Sequence, residues 1–257
     1  MKILVLIKQV PDTWGDRKLD AVTGRADRGA SDAIIDEVGE RAVEAALVAQ
    51  EQIGAEVVVA TMGPASAEES LRKTLAMGAD EALHIVDDSL AGSDLLRTAR
   101  VLAAVSARVE PDLILAGNES TDGRGGVIPA MLAEITGRPH ATFLSAIEIT
   151  ASAVAGTRAT EGGTAQVEAT LPAVASVTEQ APEARFPSFR GIMKAKKKPL
   201  SRLSVADLGI ESDGAHSSVL AVAERPARTA GTKVVDDGTA GTLIAEYLDV
   251  KLVGIAI

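Results

Sequence analysis

The chain contains no cysteine, which excludes disulfides, thiolate metal sites and cysteine nucleophiles. Aromatic residues are scarce: one Trp, one Tyr and three Phe make up 2% of the 257 residues. With an apolar share of 46%, the core must be built from Ala, Val, Leu and Ile. Such a core suits parallel α/β layers, whose strands are buried on both faces. Basic residues are in deficit, 26 Lys and Arg against 36 Asp and Glu, for a net charge of −10. That balance argues against general nucleic-acid binding. No apolar run approaches the length of a membrane span, so no membrane insertion is expected. The run at residues 3–7, followed by Lys8, is too short for a signal peptide, and no small-residue cleavage site follows it. It reads as the first strand of a cytoplasmic protein. Two nucleotide signatures are also missing. The turn after that strand holds no glycine, which disfavours a dinucleotide fold of the Gly-x-Gly-x-x-Gly type. No Gly-x4-Gly-Lys-Ser/Thr occurs anywhere, which excludes a P-loop.

What the chain does have is glycine in one place. The stretch Gly117-Asn118-Glu119-Ser120-Thr121-Asp122-Gly123-Arg124-Gly125-Gly126-Val127-Ile128 follows a short apolar run at residues 113–116. Val127, Met131, Leu132 and Ile135 then fall at helical spacing, and Gly137 with Pro139 ends the helix. Strand, small-residue loop, helix is the layout in which backbone N–H groups cradle a phosphate. Gly123, Gly125 and Gly126 let backbone approach a ligand, and Arg124 supplies positive charge. The ordinary alternative is a strand–helix connection that happens to be glycine-rich. Glu119 with Asp122 fits a loop turn better than a magnesium site, and no metal is expected.

Before this stretch the chain alternates. Strands are expected at residues 3–7, 56–61, 82–86 and 112–116, and helices from Asp36-Glu37 to Gly54, from Ser66 to Gly78 and over residues 94–109. Ser66 with Glu69 reads as a capping box. Residues 13–31 form a long polar excursion or a short hairpin, with Trp14 either facing a partner or packing in the loop. Alternation of this kind predicts a doubly wound, mostly parallel α/β sheet in a three-layer, Rossmann-like arrangement. Ligands in such sheets bind at the carboxyl ends of the strands, where the glycine loop lies, and this favours the nucleotide reading. After residue 142 the pattern turns β-rich, with a final buried strand at residues 173–178. His84 sits in an apolar strand and reads as a core or strand-end histidine.

The next stretch concentrates scarce residue types. Between residues 185 and 202 stand Arg185, Arg190, Lys194, Lys196, Lys197, Lys198 and Arg202, and no acidic residue. Phe186 and Phe189 lie among them, with Ile192 and Met193 close by. A solvated basic helix is the usual fate of a charge run. Here the aromatics favour an exposed apolar anchor beside a positive patch, suited to an acidic partner. A strand is expected at residues 220–223, a polar arm at 224–238, a last helix at 239–250 and an apolar tail at 252–257. The division expected is an α/β domain over residues 1–200 and a C-terminal arm over 201–257.

Taken together, several ordered motifs resemble the β subunit of electron-transfer flavoprotein. They are Lys8-x-Val10-x-Asp12, Met62-Gly63-Pro64-Ala65, residues 75–80, the glycine loop, Gly162-Gly163 with Leu171-Pro172-Ala173-Val174, and Ile192-Met193-Lys194-Ala195-Lys196-Lys197-Lys198. Asp207-Leu208-Gly209 and Arg228-Thr229-Ala230-Gly231 follow in order. The resemblance implies a fold like that of adenine-nucleotide α-hydrolases and a heterodimer with an α subunit. It implies one FAD held mainly by α and one structural AMP in this chain. The AMP would touch Leu6, Asp36, Glu37, Val38, Gly39, Met62 and the loop from Gly117 to Ile128. The chain would be an electron carrier rather than an enzyme, with no catalytic residue of its own. It would take electrons from acyl-CoA dehydrogenases of fatty-acid β-oxidation and related flavoprotein dehydrogenases. A membrane quinone oxidoreductase would receive them. Arg185, Phe186, Phe189, Ile192, Met193, Lys194, Lys196, Lys197 and Lys198 would form the partner-recognition segment, with Phe189 as the anchor. One departure stands out: Val127 occupies a position where many relatives carry Gln. A bifurcating subunit with FAD in the AMP site is therefore an alternative, as are a free-standing adenine-nucleotide sensor and, less well supported, an ATP-using hydrolase.

Overall fold

The first strand is β1 (Lys2–Leu6), and its side chains divide the molecule. Ile3 and Val5 enter one core layer, Leu4 and Leu6 the other, and all four are buried. Period-two burial on both faces is what a central parallel strand requires. In the computed structural model the described residues are 1–15, 17–210, 214–223, 226–228, 230–231 and 233–253, the last two as backbone only. Two compact units are present, Met1–Val222 and Ala223–Ile257.

In the first unit, β2 (Gln9–Pro11) and β3 (Ala33–Ile35) pair as a small antiparallel ribbon. The ribbon spans the neck of the polar excursion, within which Leu19 and Ala26 form a single bridge. Helix α1 (Glu37–Ile53) follows, then β4 (Glu56–Met62), α2 (Ala67–Met77), β5 (Glu81–Ile85), α3 (Leu95–Val109), β6 (Leu113–Gly117) and α4 (Ile128–Thr136). The helices stop where left-handed backbone is needed: Gly54 and Gly137 take φ of 69° and 63°. Strands β7 (His140–Ile149), β8 (Ala153–Thr160), β9 (Gly163–Thr170) and β10 (Ala173–Val177) complete the run, and α5 (Phe189–Ala195) and β11 (Leu200–Leu203) close the unit.

One nine-stranded sheet results, in the order β11-β5-β4-β1-β6-β10-β7-β8-β9. Every pairing from β11 through β7 is parallel, and β7-β8-β9 is an antiparallel meander. Helices α1 and α2 cover one face and α3 and α4 the other. The chain moves outward from β1 through β4 to β5, then returns to the other side of β1 as β6. The strand order therefore reverses between β1 and β6, and that crevice is where such sheets bind ligands.

Three local expectations are corrected. Ser66 makes no side-chain cap to α2; its Oγ donates instead to Gln9 Oε1 at 2.8 Å, because β2 brings a competing acceptor. No strand forms at residues 220–223, and Leu220 is exposed there. The sheet also continues past residue 200, since β11 pairs with β5. In the second unit α6 (Ala240–Val253) forms over the expected last helix. Residues 254–257 of the apolar tail lie outside the described residues.

Candidate functional site

The C-terminal ends of β1 and β6 face one another across the switch point. Each extends into a connecting stretch: residues 7–12, which include β2, after β1 and the loop 118–127 after β6. Asp36 joins these stretches to the start of α1. The residue is 2% exposed. Oδ1 accepts from the Val38 N–H at 3.2 Å, an N-cap interaction. Oδ2 accepts from the Thr121 N–H at 2.6 Å and from Thr121 Oγ1 at 2.9 Å. The Asp36 N–H in turn donates to the Lys8 carbonyl at 2.9 Å. Through its side chain and its backbone N–H, one buried residue thus links three segments that are far apart in sequence.

A cluster of cations surrounds the glycine loop. Lys8 Nζ lies 2.7 Å from Asp122 Oδ1 and donates to Ser120 Oγ at 3.2 Å. Arg28 approaches Asp122 Oδ2 at 3.5 Å. Arg17 donates from Nη2 to Thr121 Oγ1 and to the Pro11 carbonyl, each at 2.9 Å, and from Nη1 to the Thr121 carbonyl. Burial by itself would raise the Asp122 carboxyl. The Lys8 hydrogen bond and charge, with Ser120 and the Gly123 N–H, overcome that and hold it below the usual Asp range. Both Asp122 oxygens are therefore occupied by cations and backbone, which explains the residue as a loop fastener.

The loop backbone is unusual where ligand approach was expected. Arg124 and Gly126 have φ of 46° and 64°, in the left-handed region. Gly117 is needed for contact: a Cβ there would lie 3.1 Å from the Val38 backbone. Asn118 is 8% exposed; its N–H donates to the Val177 carbonyl at 2.8 Å, while Oδ1 is buried without a partner. Helix α4 starts at Val127–Ile128 with no side-chain cap, so its first-turn donors are unclaimed by side chains. Leu6, Val38 and Gly39 are buried beneath this edge and Met62 is half-buried at the end of β4, whereas Glu37 is exposed. Lys8, Arg17 and Arg28 escaped the sequence reading as site residues. Lys8 had a signal, since it directly follows β1. The two arginines had none, because only the folded excursion brings them to the loop.

Elsewhere, His84 is 1% exposed and its Nε2 lies 3.2 and 3.1 Å from the Gly63 and Pro64 carbonyls, which hold the β4–α2 turn. A cavity of about 320 Å³ opens between α1 and β7, lined by Arg41, Glu44, Val48, Ala146, Ile149 and Pro182 among others; no glycine-loop residue borders it. Among the described residues no acidic or histidine group is arranged to hold a metal ion, and no helix is long and apolar enough to cross a membrane.

The basic segment is split by its surroundings. Phe186 and Phe189 are 93% and 82% exposed. Ile192, Met193, Lys194, Lys196 and Lys197 are exposed beside them. Arg185 and Lys198 are turned toward the body instead: Arg185 pairs with Glu44 and Glu51, and Lys198 Nζ donates to backbone carbonyls at the end of α2.

These features define a three-layer α/β protein with a loop-built ligand edge at the topological switch point and an exposed apolar-basic segment packed on α1 and the end of α2. Comparison with known proteins supplies the family. The model of the electron transfer flavoprotein domain matches residues 24–208. The chain is 49% identical over 257 residues to "Electron transfer flavoprotein subunit beta" of Mycobacterium tuberculosis, covering 96% of this chain and 97% of that one. It is 48% identical to the protein of the same name from Mycobacterium leprae, over the same shares. It is 34% identical to "Caffeyl-CoA reductase-Etf complex subunit CarD" of Acetobacterium woodii, over 83% of this chain and 82% of that one. The chain belongs to the electron transfer flavoprotein family, and its full-length similarity is to members named subunit beta.

Proposed function

We propose that the chain is the β subunit of a cytoplasmic, heterodimeric electron transfer flavoprotein, and that AMP binds at the β1/β6 switch point. The observation that carries the AMP assignment is the glycine loop itself, held in left-handed turns at Arg124 and Gly126 and pinned through Thr121 to the N-cap of α1. Loop amides and the uncapped start of α4 suit the phosphate, and Lys8 and Arg28 supply cationic surroundings. The orphaned Asn118 Oδ1 is an acceptor awaiting a donor, such as an amino or hydroxyl group of a nucleoside. In this reading the nucleotide is structural: it fills a polar crevice and joins α1 to the loop.

FAD, held mainly by the α subunit, supplies the redox chemistry when bound. Acyl-CoA dehydrogenases and similar flavoprotein dehydrogenases would donate electrons, and a membrane quinone oxidoreductase would accept them. The residues of this chain serve docking. Phe189, with Phe186, is the exposed apolar anchor, and Lys194, Lys196 and Lys197 steer an acidic partner.

Mass spectrometry of ligands released from the purified heterodimer tests the assignment. One adenine mononucleotide besides one FAD is expected. Two FAD and no AMP would point to the bifurcating variant, a reading that Val127 leaves open. Absence of any adenine nucleotide beyond one FAD would overturn the site.

A further inference from the structure

The segment at residues 185–198 begins and ends with a cation that does not face outward. At its start Arg185 forks onto Glu44 of α1. Nε donates to Oε2 at 2.8 Å, Nη2 to Oε1 at 2.9 Å, and the Arg185 backbone N–H to Oε2 at 3.0 Å. Its Nη1 reaches Glu51 on the same helix. At its end Lys198 Nζ donates to the carbonyls of Leu75, Gly78 and Ala79 at 3.2, 2.9 and 2.7 Å. Carbonyls at a helix C-terminus lack intrahelical partners, and a cation there also complements the helix dipole. Between these two points α5 lies hard against α2: a Cβ on Gly191 would meet the Ala76 carbonyl oxygen at 2.2 Å. The Ser188 hydroxyl caps α5 by accepting from the Gly191 N–H at 3.0 Å.

We propose that Arg185 and Lys198 are positioning residues rather than docking groups. They seat the segment on α1 and α2 and thereby fix the direction in which Phe186 and Phe189 meet a flavoprotein partner. The inference rests on the docking role proposed above. Its physical basis is preorganisation. An anchor carried on a loose loop must be ordered at each encounter, and that ordering weakens binding. A segment clamped at both ends meets the requirement before the partner arrives. The cations thus divide by role, because Arg190, Lys194, Lys196 and Lys197 remain outward to set the salt dependence of association.

The test uses the intact heterodimer, with its flavin spectrum as the check on assembly, as acceptor for a substrate-reduced acyl-CoA dehydrogenase. Phe189→Ala reports the anchor and raises KM for the heterodimer on the order of tenfold or more. Lys198→Met, Arg185→Met and Gly191→Ala loosen the seat by three unrelated routes. Each is expected to raise KM on the order of fivefold, with kcat and the salt slope unchanged. Phe189→Ala then has a smaller effect in the Lys198→Met background than alone, since a wandering anchor contributes less. Amine acylation of the free heterodimer, read by mass spectrometry, labels Lys196 and Lys197 faster than Lys198. If Lys198→Met fails to assemble, Gly191→Ala and Arg185→Met carry the test alone. If Phe189→Ala raises KM while the seat variants do not, or if the double variant is additive, the clamp is overturned and docking stands. If Phe189→Ala itself changes nothing, docking fails and the clamp with it.

Discussion

Asp36 shows how much a single residue can organise. Its carboxylate caps α1 through Val38 and, with its other oxygen, holds both the N–H and the hydroxyl of Thr121, 85 residues away. Asp36→Ala leaves a helix N-terminus and two Thr121 donors without their acceptor. A loss of about 2 kcal/mol or more is expected from the cap and the orphaned donors, together with loss of the bound nucleotide. Denaturant midpoints and ligand content of the heterodimer measure the two effects. Gly126 is the second sensitive position. A Cβ there finds space, its nearest neighbours lying at 3.7 Å, so the cost arises from φ of 64° rather than from a clash. Gly126→Val, β-branched in the left-handed region, should cost about 1 kcal/mol or more. It should also deplete AMP while the flavin spectrum persists; undiminished AMP would count against the loop as the phosphate cradle. Only half of this was legible in the sequence. An acidic residue before an amphipathic helix announces a cap, but nothing along the chain announces that its other oxygen belongs to Thr121. The same holds for Ser66, whose capping pattern was plain and whose hydroxyl was claimed by Gln9 from a distant strand.

At the scale of elements, the parallel strands and their helices were legible because each is a short apolar run or a 3.6-period stripe ended by glycine. The β2–β3 ribbon was not, since three-residue strands carry no periodicity, and its neighbourhood is held by contacts such as Arg28 donating to the Gln9 carbonyl at 3.0 Å. The glycine loop was read as a ligand cradle from its composition; its fastening by cations became visible only in the fold. That fastening has a pH signature. Asp122 is held below its ordinary value of 3.8 despite burial, by Lys8 first and then by Ser120 and the Gly123 N–H. A depressed carboxyl contributes stability above its unfolded value, and the contribution is lost as pH falls through the lower folded value. Glu44, which burial raises but Arg185 lowers below 4.5, behaves in the same sense at the start of the segment 185–198. Proteolytic susceptibility of residues 117–127 should therefore rise in acid below the ordinary carboxylate range. Asp122→Asn should show high susceptibility already at neutral pH and little further change on acidification.

The molecule as a whole leaves apolar surface for another chain. In the second unit α6 presents Leu243, Ile244, Tyr247 and Leu248, which are 43%, 59%, 63% and 49% exposed. We propose this exposed apolar helix as a contact for the α subunit. Expressed alone, the chain should be poorly soluble or aggregated; expressed with its α subunit, it should elute as a heterodimer by size-exclusion chromatography. Deletion of residues 240–257 should abolish that complex, and an assembled heterodimer lacking them would refute the role.

The position of β10 carries a consequence for biosynthesis. It lies between β6 and β7, both of which precede it in the chain. As the chain leaves the ribosome, β6 and its neighbours can associate early, yet one hydrogen-bonding edge of β6 stays open until residues 173–177 emerge. The β7–β9 meander is made in the meantime and cannot dock until β10 slots in between. Nascent chains halted before residue 173 would thus display an unpaired, apolar parallel edge, the kind of surface that recruits chaperones or other chains. Release of residues 1–136 should give insoluble material where release of residues 1–222 does not.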